Sequence, residues 1–162
     1  MGTFGFSYIG ALFLLMLFIP NALWTKHKPE CYDDLEKTEP RPLLLLERVG
    51  QVLVTAAALC FSDFNIRGLT PWTGWLAAAF FLMVLYEICW LRYFVGDHTL
   101  ATFYGDRFYI PIPLATLPVA AFLLLGIYGK VIWLILGAIL LGIGHIGIHL
   151  GHRSTLLHTR QS

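Results

Sequence analysis

The chain has 162 residues, 57% hydrophobic and 13% charged, with a formal net charge of +1 and a mean hydropathy of +0.70. Soluble domains carry roughly 25% charged residues, so this composition excludes a water-facing surface and makes lipid the expected solvent. A balance so near zero supplies no basic patch and gives no case for nucleic acid as a partner.

The first apolar run, Thr3 to Trp24, is long enough to cross a bilayer. It has no basic leader and no A-x-A site, so it is expected to stay as a span and not to be removed as a signal peptide. Phe6 stands where an N-myristoylation signal wants Ser or Thr. A connector follows at residues 25–42, K-H-K-P-E-C-Y-D-D-L-E-K-T-E-P-R at its centre, whose mixed charges read as solvated. A crossing helix needs about 20 apolar residues. On that measure the spans are 4–24, 43–62, 72–94, 111–128 and 131–150, an all-α bundle of five transmembrane helices forming one domain over 1–162. The last two are parted only by Tyr128-Gly129-Lys130, where Gly129 is expected to take the left-handed turn conformation. The alternative is four spans, with 111–150 as one long bent helix. No internal repeat supports an inverted-repeat transporter. Cys31, Cys60 and Cys89 stand far apart, without a C-x-x-C, and read as small apolar fillers.

Lys and Arg set the orientation. With the N-terminus outside, inner segments hold Lys26, Lys28, Lys37, Arg41, Arg48, Arg92, Arg107, Arg153 and Arg160, and outer ones only Arg67 and Lys130. The expectation is a multi-pass protein of the cell (inner) membrane, with the C-terminus and the 25–42 loop cytoplasmic.

Polar residues crowd the same end. A mid-helix charge costs about 2.5–3.5 kcal/mol, so such residues pair or face a wet cavity. Glu47, Arg48, Gln51, Tyr86, Glu87, Trp90, Arg92, His145 and His149 are therefore candidates for a pocket open to the cytoplasm. Glu47, Arg48, Glu87 and Arg92 are expected to form one charge network. The outer halves are almost purely apolar, which disfavours a through-pore. The stretch G-H-I-G-I-H-L-G-H-R, 144–153, places His145, His149 and His152 on one face, since four residues advance a helix by about 40° past a full turn. Gly137, Gly144, Gly147 and Gly151 share another face, suited to close helix contact. His145, the deepest, is expected beside Glu47 or Glu87, with His149 nearer the interface and His152 at the surface. A metal held by His145, His149 and His152, with Glu47, Glu87 or His98 completing the set, stays open for zinc or haem but is not favoured: H-x-x-x-H lacks the Glu of H-E-x-x-H. Ser7, Ser62 and Asp63 fall at the other end from the histidines, so no Ser–His–Asp arrangement forms.

The runs E-R-V-G-Q, Y-E-I-C-W-L-R-Y-F, P-I-P and G-I-G-H-I-G-I-H resemble a family of small bacterial integral membrane proteins that carries no assigned activity. The resemblance covers roughly residues 20–150. It implies Glu47, Arg48, Gln51, Trp90, Arg92, Tyr93 and His145 as pattern positions.

Three functional readings compete. The first is a transport-associated or sensory bundle that binds a small or amphipathic ligand in its polar pocket. The second is a membrane-embedded enzyme, with Glu47 or Glu87 as base and His145 as acid or metal ligand, acting on a lipid-like substrate held by Arg48 or Arg92. The third is a structural or partner-binding subunit whose charges only fix helix register. The expected partners are the bilayer and a small-molecule or lipid ligand, and homo-oligomers are compatible with the sequence.

Overall fold

A computed structural model describes residues 2–105 and 110–159, with His158 and Thr159 as backbone only. Arg107 and Arg160, counted above for orientation, lie outside the described residues. The chain is all-helical: α1 Tyr8–Trp24, α2 Tyr32–Glu36, α3 Arg41–Cys60, α4 Gly74–Val95, α5 Leu100–Tyr104, α6 Pro113–Gly129 and α7 Ile132–Thr159. Three stretches, Arg41–Cys60, Pro71–Val95 and Ile132–Leu157, are long and apolar enough to cross a membrane. The other two long helices, α1 and α6, have 17 residues each and fall short of that length.

The shortening has local causes. Residues 3–7, expected as helix, run extended beside the end of α3: Gly5 N donates to Cys60 O (2.9 Å) and Ser7 N to Leu59 O (3.1 Å). The Ser7 hydroxyl then caps α1 by accepting from Gly10 N at 2.9 Å. Pro113 opens α6 after a left-handed Ile112 (φ 52°). Between α6 and α7 the left-handed residue is Lys130 (φ 55°), not Gly129. Gly129 is small for a different reason, because a Cβ there would meet the Phe64 ring at 2.5 Å. The turn separates two helices that pack on each other, so 111–150 is not one bent helix.

Packing sorts the long helices into pairs. α3 lies along α7, α4 along α6, and α6 against α7, while α1 touches both α3 and α4. The α3–α7 contact is backbone to backbone: a Cβ on Gly144 would collide with Glu47 N and Leu43 O, and one on Gly50 with Leu141 N. A Cβ on Gly137 would come within 3.1 Å of Val54 N, and one on Gly147 would meet the Leu43 side chain. Small residues permit this approach, and it gains dispersion along the whole seam. Gly151, expected on the same contact, faces open space. Phe13, Met83, Phe122, Leu125 and Leu134 fill the centre.

Candidate functional site

Gly144 fixes the site. Because it brings the α7 backbone onto α3 at Glu47, the next residue, His145, is set beside that carboxylate. His145 Nδ1 lies 2.5 Å from Glu47 Oε1. His149 and His152 follow on the same face, with neighbouring ring centroids 4.5 Å and 5.7 Å apart. Tyr104, from α5, places its hydroxyl 3.1 Å from His149 Nδ1 and 2.8 Å from His152 Nδ1. On its other nitrogen, His152 Nε2 approaches Glu39 Oε1 at 3.4 Å.

His152 is therefore not at the surface, as its depth suggested, but 3% exposed. The connector folds over the end of α7 and covers it: Tyr32 stands edge-on to His152 at 5.9 Å, and Tyr104 closes the other side. Burial raises the Tyr104 phenol well above its ordinary range, with Tyr32 and Glu39 adding to the shift. The Tyr32 phenol is raised by burial too. Glu39 is pushed up from the usual carboxylate range, first by burial and then by the Glu47 charge.

The expected network of Glu47, Arg48, Glu87 and Arg92 does not form. Among the described residues the ion pairs of Glu47 and Glu39 go to histidine, and none joins Glu87, Arg48 or Arg92. The helix order explains it. Glu47 faces α7, whereas Glu87 is on α4, whose neighbours are α6 and α1. Arg48 and Arg92 are exposed. Glu87 is half-buried, and its Oε1 is shielded without a partner.

Two cavities adjoin this cluster. The larger, 630 Å³, lies among α1, α3, α6 and α7, walled by Leu17, Phe18, Val52, Val119 and Phe122, with Asn21, Gln51, Thr55, Tyr86 and His145 as its polar residues. The smaller, 230 Å³, is lined by Glu36, Glu39, Glu47, His145 and His149 together with Trp24, Tyr32, Trp90 and Phe103. Asn21, Leu114 and His145 line both. Of the sequence candidates, Gln51, Tyr86 and His145 thus border the large cavity, and Glu47, Trp90, His145 and His149 the small one. Arg48, Glu87 and Arg92 border neither. Asn21 holds the junction, its Nδ2 donating to Leu17 O and to the Tyr86 hydroxyl, both at 2.7 Å.

Among the described residues, no group of three or more His, Cys, Asp or Glu side chains is arranged to hold a metal ion. The imidazoles of His149 and His152 spend their Nδ1 atoms on Tyr104. His98 lies beside His27 and Tyr93 at 5.5 Å and 5.2 Å, apart from the trio. Sequence reasoning missed Tyr104, Tyr32, Glu36 and Glu39 because they sit in connectors, where no helical periodicity assigns a face. The one available signal was Y-D-D-L-E, whose Tyr32, Leu35 and Glu36 share a side of a single turn.

No family model, curated protein or solved structure matches this chain.

Proposed function

We propose that the protein is a five-span bundle of the cell membrane, N-terminus outside, that binds a small or amphipathic ligand in its intramembrane cavity in a transport-associated or sensory role. In this reading α1 and α6 also cross, tilted little and drawn in by the polar ends that flank them. The histidine end then faces the cytoplasm, where Lys and Arg concentrate. The observation that carries the reading is the 630 Å³ cavity, which is the size of a ligand site and has apolar walls with polar groups gathered at one end. Its rim residues Phe18, Val52 and Ala56 are exposed on the lipid-facing side, so a ligand enters from the bilayer. Native mass spectrometry of protein extracted from its membrane should show one small molecule per chain. Ala56→Trp, which plugs the mouth, should remove it. An identical spectrum for both proteins, or no adduct on either, would refute the reading.

A membrane enzyme is the second reading, supported by the His145–Glu47 pair. A carboxylate that orients an imidazole prepares a general base. A lipid-like substrate reaching His145 from the large cavity would meet that base first.

A further inference from the structure

One hydrogen bond at the small chamber has a fixed direction. Glu47 accepts from His145 Nδ1–H, which leaves Nε2 of the neutral ring as a lone pair. His152 Nε2 stands 3.4 Å from Glu39 Oε1 without a hydrogen bond among the described residues. The Tyr104 hydroxyl meets both His152 Nδ1 and His149 Nδ1, and its one proton serves only one of the two rings. His149 is 8% exposed and lines the chamber. Asn21, both of whose bonds use Nδ2, leaves Oδ1 free. The carboxylates of Glu36, Glu39 and Glu47 line the same chamber. The indole nitrogens of Trp24 and Trp90 are shielded and have no hydrogen-bond partner among the described residues.

A chamber lined by carboxylates, the His145 Nε2 lone pair and aromatic walls favours a guest that brings N–H groups and positive charge. We infer that it takes a protonated amine headgroup whose apolar tail runs past Asn21 and Leu114 into the 630 Å³ cavity: the ligand is an amphipathic amine. Its N–H groups meet His145 Nε2 and the Glu39 and Glu47 oxygens, charge-assisted bonds of the strong kind. Trp24 and Phe103 supply the aromatic surface that a cation favours. An anionic head is repelled by the same carboxylates. Lys28 Nζ pairs with Glu36 and Asp33 at 3.0 Å and 3.1 Å and so compensates Glu36, which leaves Glu39 and Glu47 to the guest.

The inference rests on the ligand-cavity reading above, and one series separates their failures. Protein in phosphatidylcholine nanodiscs is titrated with dodecylamine, dodecanol, dodecanoate and dodecyltrimethylammonium, following the thermal midpoint and the tryptophan emission. Dodecylamine should saturate, binding roughly tenfold or more tighter than dodecanol, which lacks the charge, or dodecyltrimethylammonium, which lacks the N–H. Dodecanoate should not saturate. Glu47→Gln should weaken dodecylamine by about tenfold and dodecanol hardly at all; should that variant not fold, the four-ligand ranking on the unmodified protein still decides. If dodecanol, dodecanoate or dodecyltrimethylammonium binds as tightly as dodecylamine, the amine assignment is wrong while the cavity stands. If none of the four saturates, the cavity reading fails with it.

Discussion

The seam between α3 and α7 gives a graded test at three glycines of one helix. A methyl group on Gly144 would strike the Glu47 nitrogen and the Leu43 carbonyl, both backbone, so neither can rotate away. Overpacking against an unyielding neighbour costs at the upper end of its usual range, about 3 kcal/mol. Alanine's better helix propensity offsets about 1 kcal/mol of that. Gly144→Ala should therefore lose about 2 kcal/mol net. A methyl group on Gly147 would first meet the tip of the Leu43 side chain, at 3.2 Å, which can shift by a rotamer. Gly147→Ala should be close to neutral. Gly151 has nothing within 4 Å, so Gly151→Ala should gain about 0.5–1 kcal/mol from propensity alone. Equilibrium unfolding of detergent-solubilised protein reads all three. The order 144 below 147 below 151 is required, and a Gly144→Ala variant as stable as Gly151→Ala would refute the close approach of α7 to α3.

Other expectations follow from single contacts. Tyr104→Phe removes the partner of two buried imidazole nitrogens and should destabilise by about 1–3 kcal/mol in thermal unfolding, whereas an unchanged midpoint would mean that water reaches His149 and His152. Glu87→Leu replaces a shielded, unpaired carboxylate oxygen on an apolar helix, so it should match or exceed the parent's stability; a large loss would reveal a cation at Glu87. Glu39 has its proton affinity raised in the fold, so its contribution to stability is fully present below about pH 4.5, the ordinary value, and declines as pH rises through the higher folded value. The midpoint of Glu39→Gln should accordingly fall less with rising pH than that of the parent, and identical slopes would contradict the burial of Glu39. Cys31 and Cys60 are both exposed and lie at opposite ends of the helices. A membrane-impermeant maleimide should label Cys60 from outside intact cells and Cys31 only after lysis, and the reverse pattern would invert the proposed orientation.

The helices were legible where the physics is local. Apolar length places both ends of α3 and α4 and the start of α7 within two residues, but α7 runs on from the expected end at 150 to Thr159 as the helix becomes polar. The 100° advance per residue puts Gly144 and His145 on adjacent faces without any knowledge of neighbours. What those faces meet was half legible. Small residues announce a close helix contact, and a deep imidazole announces a partner, so His145 beside Glu47 follows from depth and shape together. The charge network did not follow, because depth is shared by every helix at that end while adjacency is not. Glu47 and Glu87 stand at similar levels on helices with different neighbours. His152 was misplaced for a related reason: the connector that buries it carries Tyr32, Glu39 and charged residues in equal measure, and nothing in its periodicity says that it folds back over the bundle. Residues 4–7 read as helix by hydropathy, but their backbone bonds go to Cys60 and Leu59, a long-range pairing invisible in a window.

The position of the cavity mouth has its own cause in the same seam. At the end opposite the histidines α1 presses on α3, with Gly10 against the Ala58 carbonyl and the Asn65 side chain accepting from Tyr8 N at 3.0 Å. At the histidine end α1 is held instead to α4, through Asn21 Nδ2 to the Tyr86 hydroxyl, and just beyond it through the Tyr93 hydroxyl to His27 O at 2.6 Å. α3 is meanwhile drawn the other way, onto α7, by Gly50, Gly137 and Gly144. Two helices in contact at one end and pulled to different partners at the other must diverge, and the wedge between them opens where Phe18, Val52 and Ala56 stand. The glycines that set His145 beside Glu47 thus also hold α3 away from α1. Substitutions that loosen the α3–α7 seam should therefore narrow the mouth as well as displace the histidine, which couples access to the large cavity to the geometry of the polar chamber.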